Sequence, residues 1–316
     1  MQPFKNILVA TDTRLGNQGI VGESAKLAKE CQATLKIVDV VPLPPWNVRL
    51  FVSNHEHIHE LMIREKQEQL EALAGPLREN GFDVETKVLV GKSSVEIIRE
   101  VLRAKHDLVV RVAKGADSRR KGFFGTTATR LLRECPCAVH LVAPNSASPV
   151  RHVLACVDTS TDEVIDAELN EDIFNLAQAI SKREDARFSI VQTWTVSGEY
   201  LLKERITKQE YVQMKESRQE HSEQMFDKFL RGHGCGINDD FVHMLKGDAP
   251  QVIPEFASLN GVDLIVMGTV GRSGAAGLVI GNTAERILNS IECSVIAVKP
   301  SCFISPIKMG DYVEAT

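Results

Sequence analysis

Apolar residues along this chain follow two rhythms. Short runs such as Ile7-Leu8-Val9-Ala10, Leu108-Val109-Val110, Val153-Leu154-Ala155 and Leu264-Ile265-Val266-Met267 are continuous rather than alternating. Continuity over so few residues marks strands buried on both faces. Between such runs the spacing is helical: Ile173, Leu176, Ala177 and Ile180 share one stripe, and Ile98, Val101 and Leu102 form a shorter one. The second stripe sits behind Ser93-Ser94-Val95-Glu96, the spacing of a capping box. Strands alternating with helices predict a parallel sheet covered on both sides.

The pattern occurs twice. Asp107-Leu108-Val109-Val110 leads to Gly125-Thr126-Thr127-Ala128, and Asp263-Leu264-Ile265-Val266 leads to Gly281-Asn282-Thr283-Ala284 at the same offset. The register continues through Cys137, Val139, Val142 and Pro144 onto Cys293, Val295, Val298 and Pro300. Each half also opens alike, on Ile7 to Asp12 and on Val153 to Asp158, and each has a third run ending at glycine, Gly91 or Gly247. Such a shared register means duplication. The reading is five strands and about four helices per half, with domains 1–147 and 148–316 and an irregular tail after Pro300. Two amphipathic helices, His55 to about Leu77 and about Gln209 to Leu230, are read as covering helices; a lid or partner surface is the sharper option.

The most informative segment follows the run ending at Met267. It reads Gly268-Thr269-Val270-Gly271-Arg272-Ser273-Gly274, then Gly281-Asn282-Thr283 at the start of a helical pattern. Strand, glycine-rich loop and helix start are the parts of an anion cradle, because glycines admit backbone N–H groups to a phosphate. The spacing Gly-x2-Gly-x9-Gly is neither the P-loop nor the dinucleotide fingerprint.

Composition narrows the function classes. The 316 residues carry a net charge of -5, which gives no general nucleic-acid or membrane signal. Seven scattered cysteines fit small buried side chains in a reducing cytoplasm better than a disulfide framework. No apolar run is long enough to span a bilayer, and the N-terminal residues pass into a strand without a secretory pattern.

Strand–Asp, Gly-x2-Gly-x9-Gly-(polar)-Thr and Cys-x-Val-x-x-Val-x-Pro together resemble the universal stress protein family in a tandem form, over residues 4–300. The resemblance implies an α/β fold: two doubly wound parallel five-stranded sheets, each in order 3-2-1-4-5, with helices on both faces. It implies pairing through the fifth strands as an intrachain pseudo-dimer, with a homodimer as a further option. It also implies a cytoplasmic stress-response role, regulatory or protective, and DNA-damage phenotypes occur in the family. Some members bind ATP where strands one and four end, and others bind no nucleotide.

Carried over by position, the ligand residues are Asp158, Thr193, Gly268, Gly271, Arg272, Gly281, Asn282 and Thr283. Asp158 faces the adenine and ribose end, Thr193 lines the adenine slot, Gly268 and Gly271 turn the chain and admit phosphate, and Gly281, Asn282 and Thr283 start the next helix and offer N–H and side-chain donors. Asn282 stands where ATP-binding members carry a small hydroxyl, which favours a diphosphate or another phosphorylated ligand over a triphosphate; ATP, ADP and AMP are the candidate nucleotides. In the first half Val112 replaces the first glycine beside Arg111, so nucleotide binding in the family manner is not expected there. Gly115, Gly125, Thr126 and Thr127 remain, and Ser118-Arg119-Arg120-Lys121 is a cationic run with an anion or a partner as its sharper reading. No catalytic residue and no metal site is assigned: His55, His57 and His59 lack further ligands, and Cys135-Pro136-Cys137 is read as packing. The competing functions are a weak nucleotide hydrolase and a carrier or chaperone-like module for an apolar or mixed ligand.

Overall fold

The structure is a computed structural model that describes residues 4–15, 18–51, 54–114, 124–144, 146, 148–161, 163–196, 198, 205–269 and 281–309. The chain forms two compact units. The first takes in the chain to Pro144 and the described tail from Phe303; the second begins at Asn145 and ends at Cys302.

In the first unit the order is β1 (Asn6–Ala10), α1 (Gln18–Cys31), β2 (Thr34–Val41), α2 (Trp46–Phe51), α3 (His55–Glu79), β3 (Val84–Val90), α4 (Ser93–Ala104), β4 (Leu108–Val112), α5 (Thr126–Glu134) and β5 (Ala138–Val142). Its strands run β3-β2-β1-β4-β5, every pair parallel. The second unit repeats this with β6 (His152–Cys156), α6 (Val164–Glu184), β7 (Arg187–Trp194), α7 (Lys208–Gly232), β8 (Val242–Lys246), α8 (Ala249–Leu259), β9 (Leu264–Gly268), α9 (Asn282–Leu288) and β10 (Ser294–Val298). Its order is β8-β7-β6-β9-β10, again parallel throughout. The expected 3-2-1-4-5 arrangement therefore holds in each unit. No described helix is long and apolar enough to cross a membrane.

The continuous apolar runs are the central strands: all five residues of β6 and of β10 are buried. Ile173, Phe174, Ala177 and Ile180 of α6 meet Phe226 and Leu230 of α7 over this sheet. Phe174 takes Phe188 edge-on at 5.5 Å and stacks on His233 at 3.9 Å. Thus α7 covers the core with an apolar stripe, and Phe229 belongs to that packing rather than to a lid.

Two expectations are corrected. Ser93 is the first residue of α4, and Lys92 stands at its cap with no side-chain cap bond, so the Ser93-to-Glu96 spacing forms no capping box. A capping box does form at α7, where Thr207 and Glu210 bond reciprocally. The tail differs too: counted above with the second half, it belongs to the first unit, where Phe303 is buried and the Lys308 carbonyl accepts from Arg99 Nε at 3.3 Å.

The glycine after the third strand has a steric cause in both units. Gly91 and Gly247 lie at φ 138° and 143°. A Cβ on Gly247 would meet Val252 Cγ1 at 2.5 Å, whereas Gly81, at φ +78°, faces open space. Gly247→Ala is therefore expected to cost about 1–3 kcal/mol, and Gly81→Ala about 1 kcal/mol, read from urea unfolding midpoints; equal losses would remove the clash from the account.

Buried imidazoles make stability depend on pH. Burial, first among the causes, lowers the pKa of His106, His152 and His243. His152 is held between the Asn260 carbonyl and Ser189 Oγ, at 3.0 and 2.9 Å, whereas neither ring nitrogen of His106 has a hydrogen-bond partner in good geometry. The neutral form is preferred in the folded state, so this stability is complete above the unfolded value of about 6.5 and is lost as pH falls through it toward the lowered folded value. Melting temperature should drop between pH 7.5 and 5, with a shallower slope in His106→Leu; an unchanged slope would exclude His106 as a contributor.

Candidate ligand-binding site

In the second unit β6 and β9 are neighbours, but their chains leave toward opposite sides, β6 to α6 and β7, β9 to α9 and β10. A parallel sheet opens a crevice at such a reversal, beyond the carboxyl ends of the strands. A cavity of about 410 Å³ lies there. Asp158, Thr193, Gly268, Gly281, Asn282 and Thr283 all line it. Gly271 and Arg272, like Gly115 and the Ser118–Lys121 run of the first half, lie outside the described residues.

The lining also includes residues that the sequence did not assign to a site. From α6 come Asp166, Leu169, Asn170 and Ile173, and from α8 come Ala249 and Ile253. Their signal was present: 166, 169, 170 and 173 fall on one helical face. The back wall is apolar, with Ile173, Ile253, Met267 and Ile287, while the polar groups are Asp158, Asp166, Asn170, Thr193, Asn282 and Thr283. Among the described lining residues no lysine or arginine occurs.

The loop after β6 is pinned on two sides. The Asp158 N–H donates to Asn170 Oδ1 at 3.0 Å, and Asn170 Nδ2 donates to the Asp158 carbonyl at 2.9 Å. The Asp158 carboxylate accepts from the Ser160 N–H at 3.1 Å, which makes a tight Asx turn. The next residue, Thr159, is buried and donates through Oγ1 to Gln192 Oε1 at 2.5 Å, and Gln192 Nε2 donates to Ser222 Oγ of α7 at 3.1 Å.

Gly268 acts differently from the expected chain-turning role, and Gly281 stands at the helix start as expected. Gly268 ends β9, and a Cβ there would lie 2.7 Å from Leu169 Cδ2. Gly281 caps α9 in an extended conformation, φ −61°, and donates to the Thr269 carbonyl at 3.0 Å. Close approach explains Gly268, and no left-handed turn is needed at Gly281. The lining thiol, Cys156, has its pKa pushed up by burial and, secondly, by Cys293, so it stays protonated.

The corresponding place in the first unit carries different chemistry. Arg14 grips Asp12 with Nε at 2.8 Å and Nη2 at 2.7 Å. Burial pushes the Asp12 carboxyl up, but Arg14 outweighs it and the pKa is lowered. Arg111, which stands at the repeat position of Met267, donates to the Ala10 carbonyl at 3.2 Å. Away from this place, the sulfurs of Cys135 and Cys137 lie 3.6 Å apart, and the contact together with burial raises the Cys137 pKa. Such a thiol suits packing better than nucleophilic attack. Among the described residues no group of three His, Cys, Asp or Glu side chains has metal-binding geometry.

Two α/β units with the same strand order and a shared glycine pattern invite comparison with known proteins. The model of the family described as "Universal stress protein family" matches residues 3–143 and again residues 149–299. The chain belongs to the universal stress protein family. Universal stress protein E of Escherichia coli K12 is 30% identical over 236 residues, which cover 73% of each chain. The Universal stress protein E homolog of Haemophilus influenzae is 23% identical over 94% of this chain and 98% of its own length. In fold, the chain is similar to the crystal structure of PA1789 from Pseudomonas aeruginosa, a protein described as functionally unknown, with a TM-score of 0.72 at 22% identity over 95% and 94% of the two chains.

Because Leu169 lies against Gly268, filling that contact changes the cavity directly. Gly268→Val should displace Leu169 into the hollow and lower melting temperature by an amount corresponding to about 1–3 kcal/mol of overpacking. Calorimetric melts check this, and a variant as stable as the parent would show that the contact gives way freely.

Proposed function

We propose that this universal stress protein binds an adenine nucleotide or a similar phosphorylated ligand in the cavity of its second unit. It then serves as a regulatory or protective stress-response protein of the cytoplasm, not as an enzyme. The supporting observation is the convergence of Asp158, Thr193, Gly268, Gly281, Asn282 and Thr283, from four separate chain segments, on one hollow of about 410 Å³. That volume is in the range of small-molecule sites. Apolar Ile253 and Met267 suit the face of a base, and the carboxylate of Asp158 is an acceptor for a ribose hydroxyl or an exocyclic amine.

Charge favours the shorter phosphates. Asp158 and Asp166 are the charged side chains of the described lining, and like charges at close range repel. AMP or ADP fits this better than ATP, in keeping with Asn282 at the helix start. Hydrolysis has less support, since no nucleophile paired with a base is present among the described lining residues. The apolar back wall favours one second reading, a carrier of a mixed apolar and polar ligand.

Melts with AMP, ADP and ATP separate these readings. A ligand at a hundred times its Kd stabilises by about 2.7 kcal/mol, a shift of several degrees. AMP or ADP should give it, and Asp158→Ala should lose most of it while melting like the parent without ligand. A shift with a fatty-acid probe and none with any nucleotide would replace the nucleotide reading with the carrier.

A further inference from the structure

We infer that Asn170 is the positioning residue of this site, acting through the main chain of Asp158. The inference rests on the nucleotide reading above and adds what makes the second unit alone competent. Asn170 is 6% exposed, so its amide is shut off from bulk water and its polar atoms need partners within the protein. It finds them on a single residue. Its oxygen takes the Asp158 N–H at 3.0 Å and its nitrogen gives to the Asp158 carbonyl at 2.9 Å. A side-chain amide thereby holds both backbone groups of the loop residue at the point where β6 has ended.

The consequence is geometric. With both backbone groups of Asp158 fixed, the direction of its Cα–Cβ bond is fixed, and the Ser160 N–H at 3.1 Å orients the carboxylate from the other side. Thr159, bonded to Gln192, fixes the next residue. The carboxylate is preorganised before any ligand arrives, which lowers the ordering cost of binding.

The duplication supplies an internal control. Asp12 lies twelve residues before Ser24, as Asp158 lies twelve before Asn170. Ser24 is also buried, but its single oxygen on a short stem lacks the amide's separate donor and acceptor atoms. In that unit the Asp12 carboxylate is held by Arg14 instead. The amide clamp on the loop aspartate is thus a feature of the second unit.

The test uses the full chain, AMP as the probe, and Asn170→Ser, which installs the first unit's residue. Calorimetric titration should show AMP binding weakened about tenfold, the equivalent of one to two lost hydrogen bonds. Exchange of the Asp158 amide hydrogen, followed by NMR, should accelerate. In an Asp158→Ala background, Asn170→Ser should weaken AMP no further, because the group it orients is gone. A purely structural residue would instead give additive losses of affinity, and that result would overturn the inference, as would unchanged exchange at Asp158. If Asn170→Ser melts below the assay temperature, Asn170→Asp takes its place: it keeps the acceptor, loses the donor, and should weaken AMP at least as much. Failure of the parent to bind AMP, ADP and ATP would remove the nucleotide reading and this role with it. Binding by the parent with equal affinity in Asn170→Ser would remove this role alone.

Discussion

The site depends on two parallel strands that lie side by side and part company. β6 and β9 pair along their length, yet β6 leads on to β7 on one side in the strand order and β9 to β10 on the other. The residues at the edges of the crevice beyond them are small or tethered: Gly268 lets Leu169 of α6 lie against the end of β9, and Asn170 bonds to both backbone groups of Asp158 in the loop after β6. Helix packing and an open crevice compete for the same space. The absence of one side chain settles the competition in favour of both.

The two copies show how the same frame diverges. At the strand end the second unit has Met267 and Gly268, and the first has Arg111 and Val112. A guanidinium needs carboxylates and carbonyls nearby, and the first unit supplies the Ala10 carbonyl and, at longer range, the charges of Asp12 and Asp39. Polar capacity that could face a ligand is spent inside the protein. The branched Val112 adds bulk where the second unit has only backbone. Steric and electrostatic changes point the same way, so the copies differ in chemistry without differing in strand order.

Much of the fold was legible because strand burial writes itself as short continuous apolar runs and duplication doubles the signal. The β6 and β9 runs, the glycine turn at Gly247 and the helix beginning at Asn282 were all readable in this way. The alignment of Asp158, Thr193 and Asn282 came from family likeness and not from periodicity. Cap chemistry was less legible: Ser93 has the right spacing, but its helix begins one residue earlier than the pattern suggests, with Lys92 at the cap. Gly268 was read as a turn residue, since sequence shows a glycine without showing what approaches it. Asn170 was passed over because a buried asparagine on a helix face looks like any interrupted stripe; its role depends on a partner twelve residues away.

A second pair of positions shows that the difference between the units extends beneath the site. Asp39 on β2 and Gln192 on β7 occupy the same register position, and each accepts from the threonine that follows the loop aspartate, Thr13 or Thr159. In the first unit the charge on Asp39 requires a counter-charge, which Lys66 of α3 provides at 2.7 Å. In the second unit a neutral amide passes the contact to Ser222 of α7. A buried ion pair carries a desolvation penalty on both partners and breaks at high cost when one is removed, whereas an amide–hydroxyl chain can be exchanged for other neutral groups at lower cost. The second unit thus holds Thr159 through neutral groups, and the charged side chains of the described lining are Asp158 and Asp166.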